Sequence, residues 1–109
     1  MSTRLYIEPE AEEELENAAE RYERAVPGLG QQFLAEMRRR VSEVVESPLS
    51  FPVFGETDGV RCAHAIGRFP HFVVFMLLGD TASPRVHVLA FMHPRRRPGY
   101  WANRGPLRQ

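Results

Sequence analysis

Residues Phe72-Val-Val-Phe-Met-Leu-Leu78 form a run in which every position is apolar. Turn-forming residues lie on both sides of the run, and its length is typical of a strand and short for a helix. A strand that is apolar on both faces belongs inside a sheet that is covered on both sides. The run therefore predicts a central β-strand.

Three more strands are predicted around this one. Val60–Ile66 and Arg85–Met92 have β-strand patterns, and Thr3–Ile7 is a short β-compatible segment with an alternating apolar face. The connections at 67–70 and 79–84 have turn compositions, which favours antiparallel hairpins. The sequence thus predicts a small, mainly antiparallel sheet.

Two helices are predicted between the first strand and the rest of the sheet. Pro9 suits a first helical turn, the glutamates after it complement the helix dipole, and this helix should end near Val26. A turn at Pro27–Gly30 precedes a second helix, which Ser47-Pro48 ends. Its apolar stripe consists of Phe33, Met37, Val41 and Val44.

The loop at 48–59 is rich in proline and glycine, but it keeps Phe51, Val53 and Phe54 and is predicted to be ordered and packed on the core. The predicted class is therefore α+β: an N-terminal strand and a helical hairpin packed on the sheet. The length of 109 residues fits one domain over residues 1–109.

Charge is separated along the chain although the formal net charge is zero. Residues 1–56 hold twelve Glu and six Arg, a net charge of −6, whereas residues 57–109 hold eight Arg and two Asp, a net charge of +6. This pattern predicts a basic face, the usual binding surface for an anionic partner. All 14 basic residues are arginines, so no lysine is present for catalysis.

Several classes of protein and site are not expected. The apolar run at 72–78 is too short to cross a bilayer, and the N-terminus lacks a secretory pattern, so a cytoplasmic protein is predicted. The single cysteine, Cys62, can form neither an internal disulfide nor a cysteine-based zinc site and is expected to be buried. No glycine-rich nucleotide-binding loop occurs, and no cofactor is predicted.

The densest group of chemically active residues follows the last predicted strand, at His93-Pro-Arg95-Arg96-Arg97-Pro-Gly-Tyr100-Trp101-Ala-Asn-Arg104. Guanidinium groups bind phosphate, histidine titrates near neutrality, and aromatic rings offer stacking surfaces. The segment therefore predicts anion or nucleic-acid binding. The alternative is a solvated basic tail that Tyr100 and Trp101 anchor to the core.

The other histidines and the arginines of the second helix are interpreted as structural. His64, His71 and His87 lie along or beside strands with no acidic partner at metal-ligand spacing, so no metal site is expected. Arg38, Arg39 and Arg40 are expected to form a solvated helix face, on which Glu36 and Arg40, and Arg39 and Glu43, have i,i+4 spacing.

The order of these motifs resembles the RelE/ParE superfamily of toxins from type II toxin–antitoxin (plasmid stabilisation) systems. The resemblance covers residues 4–104, and its motifs run in the family's order: the Pro-Gly-Leu-Gly turn followed by Phe33, Ser47-Pro48, Phe51-Pro52, Arg61, Arg68-Phe69-Pro70 and the segment from His93 to Trp101. It implies the RelE/ParE fold and a cognate antitoxin as partner.

Two activities are known in this superfamily, and a shared fold does not distinguish them. RelE-like members cleave messenger RNA in the ribosome, which would give catalytic roles to His93 and Tyr100. ParE-like members poison DNA gyrase and inhibit growth. In both cases the residues expected to bind the target or its phosphates are Arg61, Arg68, Arg95, Arg96 and Arg97.

The absence of lysine disfavours ribonuclease activity, because the best-known RelE-like site uses lysines and arginine is a poor proton acceptor. Because lysine is absent and no carboxylate accompanies His93 in the sequence, gyrase poisoning is the favoured expectation, with a ribosome-dependent messenger RNA endonuclease as the alternative. A third expectation, from another class, is a nucleic-acid-binding module without toxicity.

Overall fold

The computed structural model describes residues 3–55, 59–65 and 67–107 of the chain. Within them lie two helices and a four-stranded mixed sheet, so the predicted α+β class is confirmed. The strands are β1 (Arg4–Ile7), β2 (Val60–His64), β3 (Phe72–Asp80) and β4 (Ser83–Met92), and the helices are α1 (Pro9–Ala25) and α2 (Leu29–Glu46). Short 3₁₀ turns occupy Pro48–Ser50 and Gly105–Leu107.

The strand order in the sheet is β1-β4-β3-β2. β3 pairs antiparallel with β2 and β4, as expected of strands joined by short connections. β1 lies parallel to β4 on the other side, with Tyr6 opposite His87. The first strand of the chain therefore pairs with the last, and both helices lie between them in the sequence.

The helical hairpin differs from the prediction at its turn, because α2 already begins at Leu29. The Glu23 carboxylate of α1 accepts hydrogen bonds from the backbone N–H groups of Gly28 at 2.8 Å and Gly30 at 3.0 Å. It satisfies donors that the start of a helix leaves free. A Cβ at Gly30 would collide with the Ala19 carbonyl, so the two helices approach closely there.

The predicted turn at 79–84 is shorter in the structure. The β3–β4 ladder continues to the pair Asp80 and Ser83, which leaves Thr81 and Ala82 as a two-residue turn. Asp80 Oδ1 accepts from the backbone N–H of Ala82 and Ser83, and this Asx arrangement closes the hairpin. β2 ends at His64, and Ile66, its predicted end, lies outside the described residues.

Both faces of the sheet are covered. On one face α1 and α2 pack Leu15, Phe33 and Met37 against Val73 and Phe75. On the other face Trp101 packs on a second cluster formed by Val60, Val74, Leu89, Ala90 and Met92. β4 is the most buried strand, with every residue from 86 to 92 inside the core. β3 is interior as predicted, but its burial falls off after Phe75.

The segment after β4 is attached to α1 by one carboxylate. Arg104 Nη1 and Nη2 donate to the Glu14 oxygens at 3.0 and 3.1 Å, and Nη1 also donates to the Leu89 carbonyl at 3.0 Å. Glu14 Oε1 accepts from the Phe91 backbone N–H as well, at 3.1 Å. A two-pronged pair of this kind fixes orientation as well as distance.

Only some of the described residues in the loop before β2 pack on the core. Phe51 packs against the helix-side cluster and Phe54 against the second cluster, as predicted. Val53 is instead 61% exposed, because it pairs with Arg61 at the sheet edge and neighbouring residues of an extended chain point to opposite sides. Residues 56–58 of the predicted loop lie outside the described residues.

Among the described residues, no helix has both the length and the apolar character needed to cross a membrane. Cys62 is buried, as expected of a small apolar residue.

We predict that Trp101→Ala lowers the free energy of unfolding by about 3–5 kcal/mol, because it empties a large side-chain site that is 2% exposed. Denaturant unfolding measures this change. Arg97→Ala, an exposed neighbour in the same segment, is the control and should change stability by less than about 0.5 kcal/mol. Equal destabilisation by the two variants would contradict an anchoring role for Trp101.

Candidate functional site

Two histidines meet where β3 begins and β4 ends. His71 directly precedes β3 and His93 directly follows β4, and the register pairs Phe72 with Met92. The two imidazoles are therefore neighbours, with ring centroids 5.1 Å apart and planes at 85°. The prediction from sequence singled out His93 but not this pairing.

α1 and the segment after β4 form the walls of a cleft around these rings, which we call the histidine cleft. It consists of two adjoining hollows of about 250 and 520 Å³, which share Arg21, His71, His93 and Arg96. The smaller is also lined by Glu14, Asn17, Ala18, Phe91 and Tyr100, and the larger by Tyr22, Ala25 and Arg95.

Four of the seven predicted site residues line this cleft, namely His93, Arg95, Arg96 and Tyr100. The other three lie elsewhere. Arg61 is half-buried on β2 and donates from Nη1 to the Phe51 carbonyl at 2.6 Å, so it supports the loop before β2. Its orientation follows from the register of β2 on β3, which composition does not reveal.

Arg68 and Arg97 are also separate from the histidines. Arg68 is exposed in the turn between β2 and β3, and it lines a hollow of about 430 Å³ with Arg39 and Glu36 of α2. Arg97 is exposed in the turns after β4 and does not line the cleft.

His93 presents an N–H group to the cleft. Its Nδ1 accepts a hydrogen bond from the Arg95 backbone N–H at 3.0 Å. Burial lowers the pKa of His93 below its ordinary value, and the charges of Arg95 and Arg21 lower it further. A neutral ring whose Nδ1 is an acceptor carries its proton on Nε2, so that nitrogen can donate but cannot accept a proton.

His71 is a buried and neutral group. It is 2% exposed and packs against Phe33 and Tyr22, and its Nδ1 has no hydrogen-bond partner among the described residues. Burial lowers its pKa to about 4, with smaller effects from the charges of His93 and Arg21. The sequence-based assignment of His71 as structural agrees with this packing, although its ring also lines the cleft.

Two guanidinium groups lie close to the Tyr100 ring. The Arg96 guanidinium carbon lies 3.8 Å from the ring centroid and that of Arg104 lies 5.0 Å away, a cation–π arrangement. Burial, followed by the neighbouring Glu14 carboxylate, raises the pKa of the Tyr100 phenol. The phenol is therefore protonated at neutral pH and poorly suited to proton transfer.

Reasoning from sequence missed Glu14 and Arg21, which come from the acidic half of the chain. With Ala18 they have i, i+4 and i+7 spacing on α1, so they share one helix face. That spacing could have shown the shared face, but only the tertiary fold shows that the face lines the cleft.

The sequence shows no acidic partner for His87 at metal-ligand spacing, but the fold brings one to it from a distant part of the chain. His87 Nε2 lies 2.7 Å from Glu8 Oε2, and both side chains are almost fully buried. The parallel pairing of β1 with β4 creates this contact, which the spacing of residues in the sequence does not predict. The pair borders a hollow of about 770 Å³, which shares no lining residue with the histidine cleft.

The structure offers little for metal ligation in the residues it describes. No group of three or more His, Cys, Asp and Glu side chains there is arranged to hold a metal ion. His64 is exposed on β2 and stacks on Phe72 with ring centroids 4.6 Å apart.

We predict that His71→Phe changes the pH dependence of stability. The unfolded chain binds a proton at His71 near pH 6.5 and the folded chain only near pH 4, so the wild type loses stability as the pH falls through that window. The variant lacks this loss and should gain roughly 2 kcal/mol over the wild type between pH 7.5 and pH 4. Denaturant unfolding of both proteins across that range measures the difference. The carboxylates are common to both proteins, and a difference that stays constant with pH would contradict the neutral, buried state of His71.

Comparison with protein-family models and with curated proteins finds no match for this chain.

Proposed function

We propose that this protein is the toxin of a type II toxin–antitoxin system, with the RelE/ParE fold, and that it inhibits growth in the cytoplasm by poisoning DNA gyrase. The observation that carries the proposal is the histidine cleft, which combines several guanidinium groups with an imidazole that is set to donate a hydrogen bond. Such a surface is suited to holding an anionic or polar target without breaking a bond in it.

Positive charge at the cleft is only partly neutralised. Among the described residues, no ion pair joins Arg21 or Arg95 to a carboxylate, and Arg96 lies at the limit of 4.0 Å from Glu14. Exposed guanidinium groups without partners keep their charge available to an incoming ligand. This charge distribution supports an anionic partner at the cleft.

The same geometry disfavours proton-transfer chemistry. His93 Nδ1 is already hydrogen-bonded, and the Glu14 carboxylate is engaged by Arg104 and the Phe91 N–H. The chain contains no lysine, and the raised pKa of Tyr100 removes it as a base at neutral pH. A binding poison needs none of these groups to transfer a proton.

One observation favours the ribosome-dependent messenger RNA endonuclease as the alternative. Two imidazoles 5.1 Å apart, with arginines beside them, could act as an acid and a base if target binding rearranged the cleft. A nucleic-acid-binding module without toxicity would use the same guanidinium groups and is the second alternative. Growth after induced expression separates that module from either toxin.

The proposed antitoxin is an acidic amphipathic segment that folds on contact. Arg95, Arg96 and Arg97 are consecutive exposed residues in the segment after β4 and could pair with its carboxylates. No small-molecule cofactor or membrane is part of the proposal.

We predict that the double variant Arg95→Ala/Arg97→Ala loses growth inhibition while it keeps its melting temperature. Both side chains are exposed, and Arg96, which stacks on Tyr100, stays in place. Arg38→Ala/Arg39→Ala is the matched control, because it also removes two exposed arginines, but from α2. Bacterial growth after induction and gyrase supercoiling by purified protein are the measurements. Equal loss in both double variants would show that only net charge matters.

We predict that His93→Ala weakens inhibition of gyrase by no more than about thirtyfold, because one lost contact costs about 1–2 kcal/mol. In a ribonuclease the same change would lower the cleavage rate on the order of a hundredfold while ribosome binding survives. Supercoiling assays and cleavage of messenger RNA on programmed ribosomes distinguish these outcomes. Site-specific cleavage that His93→Ala abolishes, with gyrase unaffected, would overturn the proposed target.

A further inference from the structure

Arg21 is a cation in the cleft that the charge pattern of the sequence does not predict. It belongs to the half of the chain with a net charge of −6, yet it lines both hollows of the cleft. Its side chain is exposed on α1, and among the described residues it forms no ion pair. Neither the folding core nor the neutralisation of a carboxylate accounts for it.

The cations of the cleft come from two walls. Arg21 belongs to α1, whereas Arg95 and Arg96 belong to the segment after β4. Glu14 is the one carboxylate among the described lining residues, and Arg104 and the Phe91 N–H already engage it. Like charges that face each other across a cleft destabilise it unless an anion lies between them.

The histidine cleft also contains a neutral hydrogen-bond donor and a buried polar ring. His93 directs its Nε2–H away from the Nδ1 that holds the Arg95 backbone. His71, which lines both hollows, is 2% exposed and has an Nδ1 without a hydrogen-bond partner among the described residues.

We infer that the histidine cleft binds a phosphoryl group, with Arg21 holding it from the α1 wall, Arg95 from the opposite wall and His93 Nε2–H donating between them. Guanidinium groups suit this ligand because their N–H donors match the spacing of phosphate oxygens. The inference deepens the proposed function, on which it rests for the identity of the macromolecule that carries the phosphate.

The test is titration of the full chain with inorganic phosphate and, separately, with dimethyl phosphate at constant ionic strength. NMR follows the ring resonances of His71 and His93 and the side-chain resonance of Arg21. We expect saturable shifts confined to these groups with at least one probe. Binding of dimethyl phosphate identifies an internal phosphodiester, and binding of inorganic phosphate alone identifies a terminal or free phosphate.

Arg21→Gln should raise the dissociation constant about tenfold, since it removes a charge-assisted contact. Arg24→Gln is the control, because Arg24 is also exposed on α1 but does not line the cleft, and it should leave binding unchanged. The inference is overturned if neither probe gives saturable shifts, or if both variants weaken binding equally.

Growth assays distinguish failure of the phosphoryl site from failure of the proposed toxin function. Saturable phosphate binding that depends on Arg21, in a protein that does not inhibit growth, would support the phosphoryl site and overturn the toxin proposal. Growth inhibition by a protein that binds neither probe would overturn the phosphoryl site and leave the toxin proposal standing.

Discussion

The Glu14 carboxylate is a polar link between α1, the sheet and the segment after β4. It joins α1 to the Phe91 backbone of β4 and, through Arg104, to the segment that covers the second face of the sheet. The side chains of Glu14 and Arg104 are largely buried, so each charge needs the other as a partner. Because this one group joins three parts of the chain, it also sets the distance between the two walls of the histidine cleft.

The cleft is thus a by-product of how the sheet is covered. Trp101 packs on the second face, and the passage of the chain from Met92 to Trp101 lines the histidine cleft together with α1. His93, Arg95 and Arg96 lie on that passage. The hydrophobic requirement for covering the sheet therefore places the polar residues, and the aromatic anchor and the basic surface are two functions of one segment.

Sequence reasoning found the elements because local chemistry marks their ends. Pro9 and Ser47-Pro48 mark the start of α1 and the end of α2 to within a residue, since proline acts on its immediate neighbours. Which residues come together at the candidate site was harder to predict from the sequence. Arg61 points to the loop before β2, Glu14 and Arg21 come from α1, and His87 meets Glu8, all through contacts between distant parts of the chain. Periodicity reports which face of an element is apolar, but it does not report which elements meet.

The pairing of β1 with β4 has a consequence for the order of assembly. Glu8 and His87 are 79 positions apart, and Glu14 and Arg104 are 90 apart, so these contacts close nearly the whole chain into a loop. The helical hairpin and the β3–β4 hairpin need only local closure and can form early, whereas β4 gains its second neighbour, β1, only when both ends of the fold are present. A nascent chain whose helices have left the ribosome before residues 83–104 are made therefore exposes an incomplete sheet. The unpaired strand edges make it prone to aggregation during that interval.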